Sequence, residues 1–212
     1  MMEIIEYSHD KIDKIAQEIA GYIREGKIVV IPTDTCYGIA ANATDPKAVR
    51  KVFEIKKRPK TKPISVFLDE KHRIEKYVYL NEIGLKVVEL FPDRITIIFP
   101  AKKSNLVEGL IVKNKTIGIR IPPFKLPRLI VKYADVPITA TSANIYGEPP
   151  IYDSSQLKIL KGIDYIVDMG KLPMIKVSTV IDISKGRVEI LREGAIKIED
   201  LKKKIGGLLN YD

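Results

Sequence analysis

The sequence predicts an α/β (α+β) fold in which helices flank one large, mixed β-sheet. The first observation is that stretches with the helical spacing of apolar residues alternate with short apolar runs along the 212 residues. The second is a tight turn at Lys185-Gly186 within IDISKGRVEI (181–190), which predicts an antiparallel hairpin. We therefore expect a sheet with both kinds of strand pairing, in a single domain over residues 1–212.

The first helix is predicted to start after Ser8, whose hydroxyl is a suitable N-cap, and to end at Gly26. Its apolar face consists of Ile12, Ile15, Ala16, Ile19 and Ile23. The run KIVVI (27–31) that follows is short and rich in β-branched residues, so it predicts a buried strand.

The second helix is predicted over DPKAVRKVFEIKK (45–57), because Asp45 is a suitable N-cap and Pro46 suits the first helical position. After a basic loop, PISVFL (63–68) predicts a strand and NEIGLKVVELF (81–91) predicts a helix.

The same periodicities predict the remaining elements. The expected strands are 94–99, 116–121, 137–141, 165–169, 178–183 and 188–193, and the expected helices are 126–134, 153–162 and 198–205.

The composition narrows the class of protein. The net charge of +9 and the pI of about 9.4 favour polyanionic partners, although a generally Lys-rich proteome explains the charge equally well. One cysteine, Cys36, excludes an intramolecular disulfide framework. No apolar run is long enough to span a bilayer and the N-terminus does not resemble a signal peptide, so we expect a cytoplasmic protein without a membrane partner.

The basic loop KKRPKTK (56–62) carries five cations after a predicted helix. Cations there complement the helix dipole, which is a structural explanation, but an Arg fork and Lys point charges also suit phosphate binding. GYIREGKI (21–28) matches only part of a P-loop, since Ile28 replaces the Ser or Thr and a strand follows. Any nucleotide must therefore be held largely by side chains.

Small hydroxyl and amide side chains cluster at the ends of two predicted strands, in IPTDTCYG (31–38) and TATSANIYGEPP (139–150). Open sheets bind ligands at strand ends, while Asx or Ser/Thr turns are the structural alternative for the first stretch. Arg120 in TIGIRIP (116–122) and Arg192 in ILREG (190–194) interrupt apolar strands. A charge in a buried strand needs a partner or an anionic ligand.

Taken together, the chain resembles the YrdC family, in its single-domain form. The resemblance extends over nearly the whole chain and consists of six stretches in order: IPTDTCYG, KKRP with KP four residues on, GIRIP, TSANIYGEPP, STVID and ILREG. Each is weak alone, but six in order are specific. The resemblance implies a twisted mixed sheet with a basic concave surface.

Members of this family include threonylcarbamoyl-AMP synthases, so the resemblance implies an enzyme that uses L-threonine, bicarbonate (or CO2) and ATP. The products are threonylcarbamoyl-AMP and pyrophosphate, and a partner complex then transfers the threonylcarbamoyl group to tRNA. Mg²⁺ is expected to arrive with ATP, without a dedicated metal site in the protein. tRNA or double-stranded RNA is a further candidate partner.

The resemblance assigns roles to ten residues. Lys56 and Arg58 match the family's catalytic Lys-x-Arg, and both also bind ATP. The other matches to ATP contacts are Lys62, Thr116, Ser142, Asn144 and Arg192. The matches to threonine contacts are Thr35, Arg120, which pairs with the substrate carboxylate, and Ala140, which contributes its backbone.

Two positions depart from the family pattern. Phe67 stands where many relatives have a histidine, and FPDRIT (91–96) replaces a PGPxT stretch. Two alternatives therefore stay open. One is a paralogue of the YciO branch without synthase activity, and the other is an RNA-binding module that uses the same basic surface without catalysis.

Overall fold

The strands were located in a computed structural model that describes residues 2–111 and 115–206. Within those residues, ten strands form one sheet. They are β1 (Glu3–Glu6), β2 (Val29–Pro32), β3 (Tyr37–Ala40), β4 (Ser65–Phe67), β5 (Ile95–Pro100), β6 (Thr116–Arg120), β7 (Ile138–Ser142), β8 (Tyr165–Asp168), β9 (Thr179–Asp182) and β10 (Glu189–Arg192).

The sheet is mixed, as predicted. Its strand order is β1-β8-β2-β3-β7-β4-β6-β5-β9-β10. The pairs β1–β8, β2–β8, β4–β6 and β5–β9 are parallel, and the other five pairs are antiparallel. The hairpin predicted around Lys185-Gly186 is confirmed, because β9 and β10 pair antiparallel. Gly186 has a φ of +76°, which glycine adopts at little cost.

Five α-helices accompany the sheet in the described residues. They are α1 (Ile12–Arg24), α2 (Pro46–Ile55), α3 (Glu82–Val88), α4 (Lys125–Ala134) and α5 (Ile198–Ile205). Asp45 caps α2 as predicted, accepting a 2.8 Å hydrogen bond from the backbone N–H of Lys47. Every one of these helices is too short or too polar to cross a lipid bilayer.

The secondary structure differs from the prediction in four places. Ser8 makes no side-chain capping bond to α1, because a 3-10 turn (His9–Lys11) separates them. The expected helix over 153–162 is a 3-10 helix, Ser154–Ile159. β1 and β3 were not predicted. β1 is a largely exposed edge strand without an apolar face, and β3 is only four residues long and contains a glycine.

Two apolar layers cover the sheet. On one face, α1 and α4 pack on β2, β7 and part of β4, and this layer contains Phe67. The opposite face is covered by a larger core to which α2 and α3 contribute. Phe67 and Ala140 mark the boundary of the first layer, since both pack against it and also line an open cleft. The cleft therefore occupies the part of this face that α1 and α4 leave uncovered.

Candidate active site: a cationic cleft on the sheet

The cleft has a volume of about 480 Å³, and alternate residues of neighbouring strands form its floor. The strand register arranges these residues in rows. Phe67 on β4, Arg120 on β6, Thr96 on β5, Val180 on β9 and Arg192 on β10 form one row.

A second row runs parallel to the first. It contains Ala140, Ser65, Gly118, Ile98 and Asp182. Beyond it lie Gly38, Ser142 and Thr116. The middle of the floor has no room for a side chain at Gly118, where an added Cβ would lie 2.3 Å from Oγ of Ser65.

Four cationic side chains line the cleft: Arg58, Lys62, Arg120 and Arg192. Among the described lining residues they face a single carboxylate, that of Asp182. Hydroxyl groups lie between the cations, on Thr33, Thr35, Ser65, Thr96, Thr116, Thr141, Ser142 and Ser178. Such a surface offers many hydrogen-bond donors and an excess of positive charge, which suits a polyanionic ligand.

Arg120 is held by a buried carboxylate. Its Nη2 donates to both carboxylate oxygens of Asp34, at 2.7 and 2.6 Å, and the two side chains are 9% and 2% exposed. Oγ1 of Thr35 lies farther away, 3.4–3.5 Å from Nη1 and Nη2. Nε is buried and has no hydrogen-bond partner within the described residues. Because an unmade buried hydrogen bond is costly, a ligand acceptor at this guanidinium would be favoured.

The face of Phe67 lies against the same guanidinium, with 5.4 Å from Cζ of Arg120 to the ring centroid. A cation over an aromatic ring is stabilised by the ring quadrupole. Phe67 therefore supports Arg120 by stacking.

Lys56 lies behind the wall of the cleft. The residue is 1% exposed, and its Nζ lies within 3.0 Å of the carbonyl oxygens of Ser142 and Asn144 and of Oδ1 of Asn144. Three acceptors match the three hydrogens of an ammonium group. Burial is the main cause that lowers the pKa of Lys56 to about 8, and the nearby charge of Arg58 adds to it.

Asn144 connects Lys56 to the cleft. Its Oδ1 accepts hydrogen bonds from Nζ of Lys56 and Oγ of Ser142, while its side-chain amide donates to the carbonyl of Glu148. Ser142 lines the cleft, whereas Lys56 and Asn144 are not among the described lining residues. Lys56 and Asn144 thus fix the position of the strand end that carries Ser142.

Arg58 extends into the cleft from the loop after α2. Its Nε donates to the carbonyl of Lys62 and its Nη2 to that of Pro63, both at 2.9 Å. Its guanidinium also stacks on Tyr146, with 5.0 Å from Cζ to the ring centroid. Burial lowers the pKa of Arg58, and Arg192 contributes in the same direction. These contacts fix the guanidinium with two donors committed to the backbone.

Arg192 lies on the opposite side of the cleft. Its Nε and Nη2 donate to the carbonyl of Ser178 at 3.1 and 2.9 Å, and Oγ of Ser178 bonds with Oγ1 of Thr96 at 2.8 Å. The prediction that Arg192 lies in a buried strand is wrong, because the residue is exposed on the edge strand β10. Partial burial of its guanidinium nevertheless lowers its pKa, and the charge of Arg120 adds to this. Gly194 keeps this wall closed, since an added Cβ there would lie 2.1 Å from the carbonyl oxygen of Val177.

Of the ten residues predicted from the sequence, eight line the cleft, namely Thr35, Arg58, Lys62, Thr116, Arg120, Ala140, Ser142 and Arg192. Their roles toward ATP and threonine stay predictions. Sequence reasoning missed Asp34, Tyr146 and Asp182. The acid between the two threonines of PTDT was a usable indication, because a charge next to a buried strand requires a partner.

The described residues contain no group of three or more His, Cys, Asp or Glu side chains that could hold a metal ion. Asp182 is the one carboxylate that faces the cleft among them. The donors that line the cleft in the described part of the chain therefore do not fit a resident divalent cation, which prefers several oxygen ligands.

Comparisons with known proteins show which sequences and structures this chain is similar to. A family model named Sua5_yciO_yrdC, described as "Telomere recombination", matches residues 21–194. A Methanocaldococcus jannaschii protein provisionally named threonylcarbamoyl-AMP synthase is 39% identical over 206 residues, which is 96% of this chain and 97% of that protein. The threonylcarbamoyl-AMP synthase of Pyrococcus abyssi is 33% identical over 213 residues, and the match covers 97% of this chain.

The chain spans 62% of the length of that Pyrococcus relative. The crystal structure of P. abyssi Sua5 complexed with L-threonine has a TM-score of 0.86 and 27% identity to this chain. The match covers 99% of this chain and 62% of the P. abyssi chain. The family model begins before Thr33 and ends after Arg192, so it includes every cleft residue described above. In fold and in sequence, the chain belongs to the Sua5/YciO/YrdC family.

Proposed function

We propose that this protein is a threonylcarbamoyl-AMP synthase, which converts L-threonine, bicarbonate (or CO2) and ATP to threonylcarbamoyl-AMP and pyrophosphate. One observation carries the proposal. The cleft places four cations, three of them arginines held by hydrogen bonds, and a set of hydroxyl donors around a space of about 480 Å³ with a single carboxylate among the described lining residues. The substrates bring together a triphosphate, an amino-acid carboxylate and a carbamate, so positive charge and donors are what the reaction requires.

The threonine carboxylate is assigned to Arg120. Asp34 occupies Nη2 of this guanidinium, and Nε has no partner within the described residues. The neighbouring hydroxyl of Thr35 and the backbone of Ala140 belong to the same end of the cleft. Threonine bound there projects its amine into the cleft, toward the assigned position of the phosphates.

The reaction then forms an N–C bond and an O–P bond, and it breaks an N–H bond, whose proton goes to water, and the bridging P–O bond of ATP. The neutral amine of threonine attacks CO2 and loses a proton, which gives a carbamate. A carbamate oxygen attacks the α-phosphorus of ATP, and pyrophosphate leaves with the electron pair of the α–β bridging bond. Arg58 and Lys62 are assigned to the charge that develops on the phosphates, and much of the remaining rate enhancement comes from positioning.

Lys56, Ser142 and Asn144 complete the assignment. Ser142 faces the nucleotide directly, whereas the contacts of Lys56 and Asn144 support a positioning role for both. Mg²⁺ enters as the MgATP substrate, and its ligands are mainly phosphate oxygens and water. Transfer of the product to tRNA by a partner complex, and direct contact with tRNA, belong to the same proposal.

Threonine-dependent release of pyrophosphate tests this function. The purified protein is incubated with ATP, bicarbonate and each amino acid at several temperatures, and the acyl-adenylate is identified by mass spectrometry. We expect product with threonine and none without bicarbonate. Arg58→Ala removes turnover, while Lys60→Ala, which deletes an exposed cation of the same loop, retains it. A total lack of threonine-dependent product rejects the proposal.

A second candidate is supported by Phe67. The family also includes the YciO branch, and an apolar ring under Arg120 differs from the histidine of many synthases. In that case the cleft binds a nucleotide but gives no threonine-dependent product. Replacement of Phe67 by His that creates synthase activity in an otherwise inactive protein would identify this branch.

A further inference from the structure

The carboxylate of Asp182 is unusual in its location. Along β9, Ser178, Val180 and Asp182 face the cleft, while Thr179 and Ile181 are fully buried on the other face of the sheet. Asp182 is the single acidic group among the described side chains that line the cleft, opposite Arg58, Lys62, Arg120 and Arg192. An acid next to bound phosphates would repel them, so Asp182 must face an uncharged part of the ligand.

The register places an apolar surface beside this carboxylate. Asp182 pairs with Ile98 in the neighbouring strand, Ile98 pairs with Gly118, and Val180 lies one row away. Ile98, Gly118 and Val180 make this part of the floor largely apolar. A nucleobase is flat and apolar on its faces, so it fits this floor better than a phosphate does.

The orientation of Asp182 is also fixed. Its Oδ1 accepts a 2.8 Å hydrogen bond from the backbone N–H of Ser184, at the turn of the β9–β10 hairpin. That turn includes the exposed Lys185 and Gly186, so Asp182 lies at the rim of the cleft. With one oxygen held by the backbone, the other is available to accept a hydrogen bond from a ligand.

We infer that Asp182 accepts a hydrogen bond from a ribose hydroxyl of the nucleotide, while the base lies over Ile98 and Val180. This inference rests on the proposed function only in taking ATP as the ligand. The base occupies the apolar floor, and the ribose, which is more polar, lies at the rim beside Asp182. The phosphates then extend away from the carboxylate, toward Arg58 and Lys62.

The test compares binding of ATP, 2′-deoxy-ATP, 3′-deoxy-ATP and ITP, measured by calorimetry in the presence of Mg²⁺. A hydrogen bond to a charged group accounts for about tenfold or more in affinity. We expect the intact protein to bind ATP at least about tenfold more tightly than one of the deoxy analogues. In Asp182→Asn, which keeps an acceptor for Ser184, we expect that preference to fall to about twofold or less.

Asp168→Asn is the matched control. Asp168 also ends a strand and accepts a 2.7 Å bond from a backbone N–H two residues on, that of Gly170, but it lies outside the described lining of the cleft. This variant retains the full ribose preference. Thermal unfolding of both variants shows whether either loses the fold.

Three results overturn the inference. The first is that Asp182→Asn keeps the ribose preference of the intact protein. The second is that the variant loses only its preference for ATP over ITP. The third is that the Mg²⁺ dependence of nucleotide binding changes in the variant while its ribose preference does not. Because the readout is nucleotide binding, a protein that binds ATP but makes no threonine adduct rejects the proposed function and leaves this inference intact.

Discussion

The two buried cations of the site, Lys56 and Arg120, are held in opposite ways. Lys56 lies in a cage of three uncharged oxygens, and the pKa of its ammonium is lowered by burial to about 8. Arg120 is neutralised by the carboxylate of Asp34, yet it lines the cleft and keeps an unpartnered Nε within the described residues.

The difference shows how one site uses the two kinds of cation. A lysine cage fixes the backbone around it, and all three of its donors are used for that purpose. An arginine has five donors and stays charged, so a counter-ion can hold one end of it while the other end remains available. Burial alone therefore does not distinguish a positioning cation from a binding one.

The strongest way to break this comparison is to remove the counter-ion. Asp34→Ala leaves the buried guanidinium of Arg120 without its partner, so we expect a loss of about 3 kcal/mol in the free energy of unfolding, measured with urea. Threonine affinity falls as well, because the guanidinium loses its orientation. A double-mutant cycle with Arg120→Gln measures the coupling. A coupling energy near zero would show that the pair does not stabilise the fold.

The next largest effect that we expect to distinguish the two cations is the pH dependence of stability. The folded pKa of Lys56, about 8, is below its ordinary value of 10.5, so between these values the unfolded chain binds more protons at this side chain. The free energy of unfolding therefore rises with pH across that window, by no more than about 3 kcal/mol. Turnover falls over the same range, since a neutral amine has two hydrogens for three acceptors.

Lys56→Met is the control for that experiment. Urea titrations between pH 7 and 10 detect the rise in stability, which we expect in the unmodified chain and not in the variant. Equal pH profiles in both proteins would assign the rise to other groups.

At a fixed pH of about 7, Lys56→Met gives a smaller effect. It leaves the carbonyls of Ser142 and Asn144 without their donor, which costs about 2 kcal/mol, partly offset because a buried charge is also removed. Lys60→Met, in the exposed part of the same loop, changes the stability by less than about 0.5 kcal/mol. Denaturant unfolding measures the stability of the two variants. Similar losses of stability in both would contradict a stabilising role for the contacts of Lys56 with its three oxygen acceptors.

The smallest effect is expected at Tyr146, which is 40% exposed and stacks on Arg58. Tyr146→Leu removes a cation–π contact of about 0.5–1 kcal/mol, so the KM for ATP rises about two- to fivefold. Tyr146→Phe keeps the ring and the KM. If both variants raise the KM for ATP equally, the tyrosine hydroxyl rather than the ring supports Arg58.

Much of the fold was predictable because local rules agreed with the tertiary structure. The Asp45–Pro46 start of α2 and the β9–β10 hairpin follow from capping and turn chemistry. β1 and β3 were not predictable in the same way. β1 has almost no apolar face, and β3 is a four-residue strand that contains a glycine and pairs both with the preceding β2 and with the distant β7.

The site was predictable in its membership but not in its geometry. Periodicity cannot show that Lys56 points away from the cleft while Arg58 points into it, because Lys57 between them has a positive φ of 48° that reverses the local path. The partnership of Arg120 with Asp34 joins residues 86 positions apart in the chain. Asp34 lies in the turn between β2 and β3, and Arg120 ends β6, so the contact depends on the order of strands in the sheet.

The strand order also has a consequence for biosynthesis. The floor of the cleft needs β9 and β10, which pair beside β5 but follow all the other strands of the floor in the sequence. Non-local pairings of this kind form late, after loop-closure entropy has been overcome. A nascent chain that lacks these two strands has no complete cleft, so substrates can stabilise the protein only once β9 and β10 have been made and have paired.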